Sequence, residues 1–362
     1  MTQTIVLTTG GSGGHIFPAQ SVASELIKKG YQVVFITDKR GNAFQNLPEV
    51  QTYHLVAESV TGRSIVGKAW AFFKLFLGAG QAMRLLAKIK PVLVIGFGGY
   101  ASLPAVISAQ MLKIPTILHE QNAILGRANR VAAWRVKMIA TSFPQVERVP
   151  QKIPTIHVGQ PVRAPILAKQ NTPMPEDSAF HLLIFGGSQG AHFFSERLPE
   201  VLMKLPESYR ARMCVTQQAR PEDEEMVRKA YENAGFQSLT VAPFFQDMPN
   251  LLSQTNLVIG RGGAGTLTEV MVVGRPVIVI PLPTAADNHQ VANAKQLEAA
   301  GGGWVLEQKD FDADQLAEKI KNLMDHPDEL KQTAAKAHTL AILNAAERMA
   351  EIADDVIKGT AS

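Results

Sequence analysis

The chain has 362 residues, of which 46% are hydrophobic and 19% charged, which excludes a disordered polypeptide and leaves room for two folded domains. It carries 36 Lys and Arg against 32 Asp and Glu, and the resulting net charge of +4 favours anionic partners: phosphorylated substrates, acidic lipid or nucleic acid. Cys214 is the single cysteine, so an internal disulfide is excluded and a reducing compartment is expected.

The elements alternate from the start. Residues 5–8 form an apolar strand, residues 9–15 a glycine loop, and residues 18–29 a helix that Gly30 can close. A second strand is expected at 31–37, and further short apolar runs at 92–95, 116–118 and 137–140, separated by helix-like segments. Residues 159–163 (GQPVR) and the polar, proline-containing segment 171–178 mark a break, after which the pattern restarts with a strand at 181–185 and the glycine loop 186–190. Strands follow at 213–216, 239–242, 256–259 and 277–280. Strands alternating with helices predict parallel sheets with crossover helices, and near-continuous apolar strands predict sheets covered on both faces. The expectation is two doubly wound sheets, with ligands beyond the carboxyl ends of the strands and a cleft between the domains as the natural site. No run reaches the roughly 18 apolar residues of a membrane span, and no leader-like charged-then-apolar segment opens the chain. A soluble or peripheral protein is expected.

The stretch 260–293 carries the densest chemistry. Four glycines, Gly260, Gly262, Gly263 and Gly265, turn the chain into a helix whose first N–H groups and dipole suit an anion. Glu269 lies inside that helix, where a carboxylate can accept two hydrogen bonds from a ribose diol. Asp287, Asn288, His289 and Gln290 follow the next strand and can bind sugar hydroxyls. Phosphate, ribose and sugar together describe a nucleotide-sugar; an ordinary strand–turn–helix with a solvated glutamate is the alternative. The first loop lacks the G-x-x-x-x-G-K-[ST] pattern of nucleotide hydrolases, and Asp38 alone keeps a dinucleotide reading open. His15, at the end of that loop, is either a general base or a packing residue. Residues 96–102 form a further glycine loop after a strand, and His119-Glu120-Gln121-Asn122 sets four polar side chains beyond another. Glu120 is the second candidate base. Asp312-Ala313-Asp314 has the D-x-D spacing of some metal-dependent sugar transferases, but it opens an amphipathic run and reads as a helix cap.

Taken in order, GGSGGHIFP, GGYAS, HEQN, GQPVR, GGSQGA and GRGGAGTLTE…DNHQVANA resemble the MurG family from the N-terminus to about Gly302. That resemblance implies a GT-B fold: α/β, with two Rossmann-like doubly wound parallel-sheet domains facing a central cleft. It implies an acceptor- and membrane-binding domain at 1–162, with a C-terminal helix at about 344–358 packing back onto it, and a UDP-GlcNAc-binding domain at 163–343. It further implies an inverting GlcNAc transfer from UDP-GlcNAc to undecaprenyl-pyrophosphoryl-MurNAc-pentapeptide (lipid I), giving lipid II for the cell wall. No cofactor, no metal and no nucleic acid is implied. The partners it implies are UDP-GlcNAc, lipid I, an anionic membrane surface and other cell-wall synthesis proteins, at the cytoplasmic face of a bacterial inner membrane.

Residue by residue, the resemblance implies that Ser12, Gly13 and Gly14 meet a pyrophosphate, His15 acts as base, and Asn122 meets the donor sugar. It implies Arg163 and Ser188 on the donor diphosphate and the Phe245 backbone on the uracil edge. The donor loop is then Ala264, Gly265, Thr266, Leu267, Thr268 and Glu269, with Glu269 on the ribose and Gln290 on the GlcNAc hydroxyls. Gln160 replaces an Asn usual before PVR and is given no role, while Gly262 and Gly265 make the donor loop glycine-rich enough to be loosened. A soluble UDP-sugar transferase, a UDP-GlcNAc 2-epimerase and a non-catalytic UDP-sugar-binding module remain alternatives. Finally, 67–90 reads as a helix with Phe72, Leu75, Phe76, Ala79, Met83 and Leu86 toward the core. Trp70, Phe73 and Leu77 share the opposite face with Lys74, Arg84 and Lys88, which suits either an anionic membrane or a second packing contact.

Overall fold

The computed structural model describes residues 2–10, 13–38, 50–56, 65–187 and 191–360. Ser12 and Ser188 therefore lie outside the described residues. The chain divides into two compact units, Met1–Arg163 with Ile342–Ser362, and Ala164–Ala341.

The first unit contains β1 (Thr4–Thr8), α1 (Gly13–Lys28), β2 (Gln32–Thr37), β3 (Gln51–His54), α2 (Ile65–Ile89), β4 (Leu93–Gly96), α3 (Leu103–Met111), β5 (Thr116–Glu120), α4 (Arg127–Ala132), β6 (Met138–Thr141) and β7 (Thr155–His157). Its seven strands pair in the order β3-β2-β1-β4-β5-β6-β7, and every pairing is parallel. Alternation along the strands explains why they are apolar throughout. Ile5 and Leu7 of β1, Val33 and Phe35 of β2, and Leu93 and Ile95 of β4 face one core with α1. Val6, Val34, Ile36 and Val94 face the other, against Ala82 and Leu86 of α2 and Ala105 and Ala109 of α3.

The second unit contains α5 (Ala164–Leu167), β8 (Phe180–Phe185), α6 (His192–Met203), α7 (Glu207–Arg210), β9 (Met213–Gln218), α8 (Glu224–Ala230), β10 (Ser238–Ala242), α9 (Met248–Ser253), β11 (Leu257–Gly260), α10 (Ala264–Val273), β12 (Val277–Val279), α11 (His289–Ala299), β13 (Gly303–Val305), α12 (Ala313–Asp325) and α13 (Pro327–Thr339). Its parallel sheet runs β10-β9-β8-β11-β12-β13. The last helix, α14 (Ala345–Lys358), belongs to the first unit. Met349, Ala350, Ala353 and Val356 join the α1-side core there. Asp354 accepts hydrogen bonds from Lys29 Nζ at 2.8 Å and Tyr31 Oη at 2.7 Å. Each unit is thus a doubly wound parallel sheet of the Rossmann type. In each, the strand order reverses between two neighbours, β1 and β4 in the first and β8 and β11 in the second. Ligand crevices form at such reversals, beyond the strands' carboxyl ends.

Three details depart from the sequence reading. Helix α1 begins at Gly13, five residues ahead of Pro18, and continues through that proline. Pro18 withholds one N–H, the partner of the Gly14 carbonyl, and buries its ring; a single missing bond near the start does not end the helix. Strands β3, β7 and β13 were not expected, and all three are sheet edges of three or four residues. Edge strands are covered on fewer sides, so Gln51–His54 and Thr155–His157 lack the apolar run that marks a buried strand. The third departure concerns α2: Phe76 is 76% exposed, whereas Ala82 and Leu86 are buried. The buried stripe is centred on Gly78, Ala82 and Leu86, and Phe76 stands two residues, about 200°, from Gly78. Leu75, Ala79 and Met83 are half-buried flanks of the stripe, and the Phe72 side chain lies outside the described residues.

Candidate functional site

The first crevice is built where β1 and β4 end. Gly98 and Gly99 follow β4 with φ of 83° and 79°, and a Cβ on Gly99 would stand 3.0 Å from the Gly10 Cα. Only glycine lets the two strand-end loops meet so closely, sealed by Gly10 N–H donating to the Gly98 carbonyl at 3.0 Å. His15, in the first turn of α1, rests on this junction with Nδ1 2.9 Å from the Phe97 carbonyl oxygen. A carbonyl only accepts, so Nδ1 carries the proton and the basic lone pair is on Nε2. Gln121 Nε2 donates to the same carbonyl at 3.3 Å. Gly13 and Gly14 form the start of α1 beside His15.

Beneath His15 lies a buried layer. The Phe97 ring packs on His119, with centroids 5.5 Å apart. His119 is fully enclosed; burial, with the neighbouring His15 adding to it, depresses its pKa to about 4 despite the Gly159 carbonyl at 3.3 Å from Nε2. Ser142 Oγ lies 3.3 Å from the same nitrogen and donates to Gln160 Oε1 at 2.6 Å, which gives Gln160 a place in this layer. Glu120 receives four hydrogen bonds, from Asn122 N and Nδ2 (2.9 and 3.2 Å), Gly126 N (2.8 Å) and Asn129 Nδ2 (2.8 Å). Burial raises its pKa against those bonds. A carboxylate so engaged is a bracket for the loop 121–126, and the expectation of Glu120 as second base gives way to a positioning role. It also orients Asn122. Arg163 stacks its guanidinium 4.5 Å from the Phe17 ring centroid, and Ser21 Oγ donates to the Val162 carbonyl at 2.9 Å.

The second crevice is built where β8 and β11 end. Gly263 caps α10 without a side-chain bond, so the amides of Ala264, Gly265 and Thr266 open the helix. Leu267 and Thr268 are buried, Thr268 bonding back to the Ala264 carbonyl, while Glu269 is half-buried on the next turn. Gly262 is required by proximity: a Cβ there would overlap the Gln290 carbonyl. Its N–H donates to Gln290 Oε1 at 3.1 Å and its carbonyl accepts from Asn293 Nδ2 at 3.0 Å. The glycine-rich loop is therefore pinned to α11, not loosened. Gln290 Oε1 also accepts from Leu282 N–H at 2.9 Å, so two main-chain donors fix the orientation of the amide.

Two residues here escaped the sequence reading. Arg261 is buried, with its guanidinium 4.6 Å from the Phe194 ring centroid and Nη1 donating to the Ile280 and Pro281 carbonyls and Gln308 Oε1. Phe244 is 66% exposed beside the half-buried Phe245. A charge inside a glycine run was the available signal for the first; a doubled aromatic after a strand was the signal for the second. The D-x-D pair is otherwise occupied: Asp312 Oδ1 accepts from Gln315 N–H at 2.9 Å as the cap of α12, and Asp314 pairs with Lys204 at 2.8 Å.

The first unit also carries an exposed apolar surface. Trp70 and Phe73 stack at 5.6 Å on α2, with Lys74 Nζ 5.6 Å from the Trp70 ring, and Phe76 and Leu77 continue the face. Met111 and Leu112 at the end of α3, and Val131 and Trp134 around α4, are exposed too, with Arg135 5.2 Å over Trp134. Helix α3 packs against both α2 and α4. Among the described residues no helix is long and apolar enough to cross a membrane.

Comparison with known proteins places this geometry. The N-terminal domain model of glycosyltransferase family 28 matches residues 5–141, and the C-terminal domain model of that family matches residues 181–356. A protein of Paramagnetospirillum magneticum named UDP-N-acetylglucosamine–N-acetylmuramyl-(pentapeptide) pyrophosphoryl-undecaprenol N-acetylglucosamine transferase is 44% identical over 354 residues, 96% of this chain and 95% of its own. The protein of the same name from Brucella canis is 43% identical over 359 residues, 98% of this chain and 94% of its own. Among solved structures, Acinetobacter baumannii MurG superposes with a TM-score of 0.78 at 29% identity, covering 99% of both chains. A UDP-GlcNAc 2-epimerase from Neisseria meningitidis, bound to UDP-GlcNAc, has a TM-score of 0.68 at 15% identity over 96% of this chain and 99% of its own, a likeness of fold alone.

Proposed function

We infer the function from one premise: the chain belongs to the MurG family of UDP-N-acetylglucosamine–N-acetylmuramyl-(pentapeptide) pyrophosphoryl-undecaprenol N-acetylglucosamine transferases, within glycosyltransferase family 28. It is a GT-B enzyme that moves GlcNAc from UDP-GlcNAc to the 4-hydroxyl of MurNAc in lipid I, with inversion, and forms lipid II. The observation that carries this is the 44% identity to such a transferase over 96% of the chain, spanning both domains.

In our reading the first unit binds the acceptor and the second the donor. The acceptor hydroxyl gives its proton to His15 Nε2, the nitrogen that the Phe97 carbonyl keeps basic, as its oxygen attacks the anomeric carbon. UDP leaves with the bonding pair. Its diphosphate rests on the N-terminal amides of α10 and, with Arg163, is stabilised as charge develops. Glu269 takes the ribose diol, Gln290 Nε2 a GlcNAc hydroxyl, Asn122 the donor sugar, and the Phe245 backbone the uracil edge.

The acceptor's lipid tail needs a membrane surface. The exposed face of Trp70, Phe73, Phe76 and Leu77, extended by Met111, Val131 and Trp134 and ringed by Lys74, Arg84, Lys88 and Arg135, suits an anionic bilayer. We place the enzyme peripherally there, on the cytoplasmic side. The test is purified protein with UDP-GlcNAc and a short-chain lipid I analogue, the disaccharide product read by mass spectrometry. UDP-GlcNAc bound but not consumed would favour a binding module; its conversion to the 2-epimer without acceptor would favour an epimerase.

A further inference from the structure

In the proposed donor site an anion rests at the N-terminus of α10 and a nucleobase beside residues 244–245, two places that must be held at a fixed separation. Strands of a twisted sheet diverge at their ends, so the loops beyond β8 and β10 are not aligned by strand pairing alone. Strand β9 lies between those two. Its last residue, Gln218, is 5% exposed and reaches both neighbours with one amide. Its Oε1 accepts from the Gly186 N–H at 3.1 Å, at the turn that follows β8. Its Nε2 donates to the Pro243 carbonyl at 3.1 Å, one residue before Phe244. The neighbouring Gly187 stands beside Thr266 of the α10 first turn, whose Oγ1 would be 4.0 Å from a Cβ on that glycine. The amide orientation is not arbitrary, because an N–H can only donate and a proline carbonyl can only accept.

We propose that Gln218 is a positioning residue that sets the spacing between the diphosphate and uracil subsites of the donor site, and so selects for a nucleoside diphosphate of one length. This deepens the donor assignment above and rests on it. Glutamine is the side chain the position needs: Glu would set an acceptor against the Pro243 carbonyl, and Asn falls one methylene short of spanning three strands. The preceding Gln217 provides the contrast. Its amide accepts from Tyr231 Oη at 2.6 Å and donates to the Phe194 carbonyl at 3.3 Å, inside the core between α6 and α8.

The experiment compares UDP and uridine binding by calorimetry in the wild type, Gln218→Met and Gln217→Met, with thermal melting and donor kinetics on each. In Gln218→Met the two loops are no longer tied, so UDP should lose about tenfold in affinity, the scale of one hydrogen bond's alignment. Uridine, which uses one subsite, should lose less than about threefold on the same scale. KM for UDP-GlcNAc should rise with kcat largely kept. Gln217→Met should lower the melting temperature and leave the UDP-to-uridine ratio unchanged. A folded Gln218→Met whose ratio matches the wild type overturns the inference, as does an equal loss for both ligands. If that variant fails to fold, Gln218→Glu carries the same comparison, since it keeps the acceptor for Gly186. A wild type that binds no UDP overturns the donor assignment itself, and this inference falls with it.

Discussion

Gly262→Ala tests whether the donor loop is held by α11. The new Cβ would overlap the Gln290 carbonyl and stand 3.1 and 3.2 Å from the Gln290 C and Cβ. The obstacle is main chain in the first turn of a helix, so no rotamer change relieves it. The loop and the helix must part, which stretches the Gly262–Gln290 bond of 3.1 Å and the Asn293–Gly262 bond of 3.0 Å beyond useful length. Two bonds at about 1 kcal/mol each amount to about 2 kcal/mol of lost preorganisation, or roughly a 30-fold weaker Kd for UDP-GlcNAc. Calorimetry with UDP-GlcNAc reads the affinity, and a melting curve establishes that the variant is folded. Gly265→Ala supplies the comparison: a Cβ there meets nothing within 4 Å, so any affinity it loses reports contact with the ligand, not movement of the loop. A folded Gly262→Ala that binds UDP-GlcNAc within about threefold of the wild type would falsify the pinned-loop account.

His15→Ala should lower kcat by about 10²–10⁴ while UDP-GlcNAc affinity, measured by calorimetry, stays put, because the base serves the acceptor; near-normal kcat would move the role elsewhere. Arg275 is 1% exposed and donates to the carbonyls of Leu252, Ser253, Val273, Gly274, Thr172 and Pro173, so Arg275→Met should destabilise the second unit by about 3–5 kcal/mol in urea titrations, with Arg275→Lys in between. His119, with a pKa depressed to about 4, stays neutral in the fold while the unfolded chain takes up a proton below about 6.5, so stability should fall as pH drops from about 6.5 to 4 by up to roughly 3 kcal/mol. A flat urea midpoint across that window would contradict its burial. Replacing Trp70, Phe73, Phe76 and Leu77 by Ser should leave a folded protein that binds UDP-GlcNAc but no longer sediments with phosphatidylglycerol vesicles, and unchanged sedimentation would place the membrane face elsewhere.

The central strands were legible because burial on both faces makes them apolar without interruption, as in Ile5–Leu7 and Leu257–Ile259. What the sequence left out follows from the same rule. The edge strands β3 and β7 carry no such run, and β13 is only three residues long. The start of α1 was obscured because glycine and proline, read locally, argue against helix, and only the packing of Ile16 and Pro18 into the core overrides them. The sequence points Phe76 inward because an apolar residue on an amphipathic helix is usually buried; nothing in the sequence says that the core-facing positions are the small ones, Gly78 and Ala82. At the site, residue types were legible and partners were not. Glu120, Gln290 and Asn122 each look like a group offered to a ligand, yet the Glu120 carboxylate is engaged by residues 122–129 and Gln290 Oε1 by the Gly262 and Leu282 amides.

That difference matters most for charge. Arg261 and Arg275 are buried guanidinium groups, and burial pulls both pKa values down to about 10, still far above neutral pH. Among the described residues neither meets a carboxylate: their donors go to main-chain carbonyls and one amide, and Arg261 also lies over the Phe194 ring. A carboxylate would have satisfied the hydrogen bonds more strongly but cancelled the field; carbonyl dipoles and a ring face satisfy the donors and leave the net charge. Arg261 adjoins Gly262, where the loop enters α10, and its guanidinium lies against the Ile280 and Pro281 carbonyls and the Phe194 ring. On the donor assignment proposed above, the diphosphate leaves with an extra negative charge, and a cation held in the same unit favours that charged state over the ground state. On that assignment Arg261, which the sequence shows only as an interruption in a glycine run, would contribute part of the electrostatic stabilisation that departure of UDP requires.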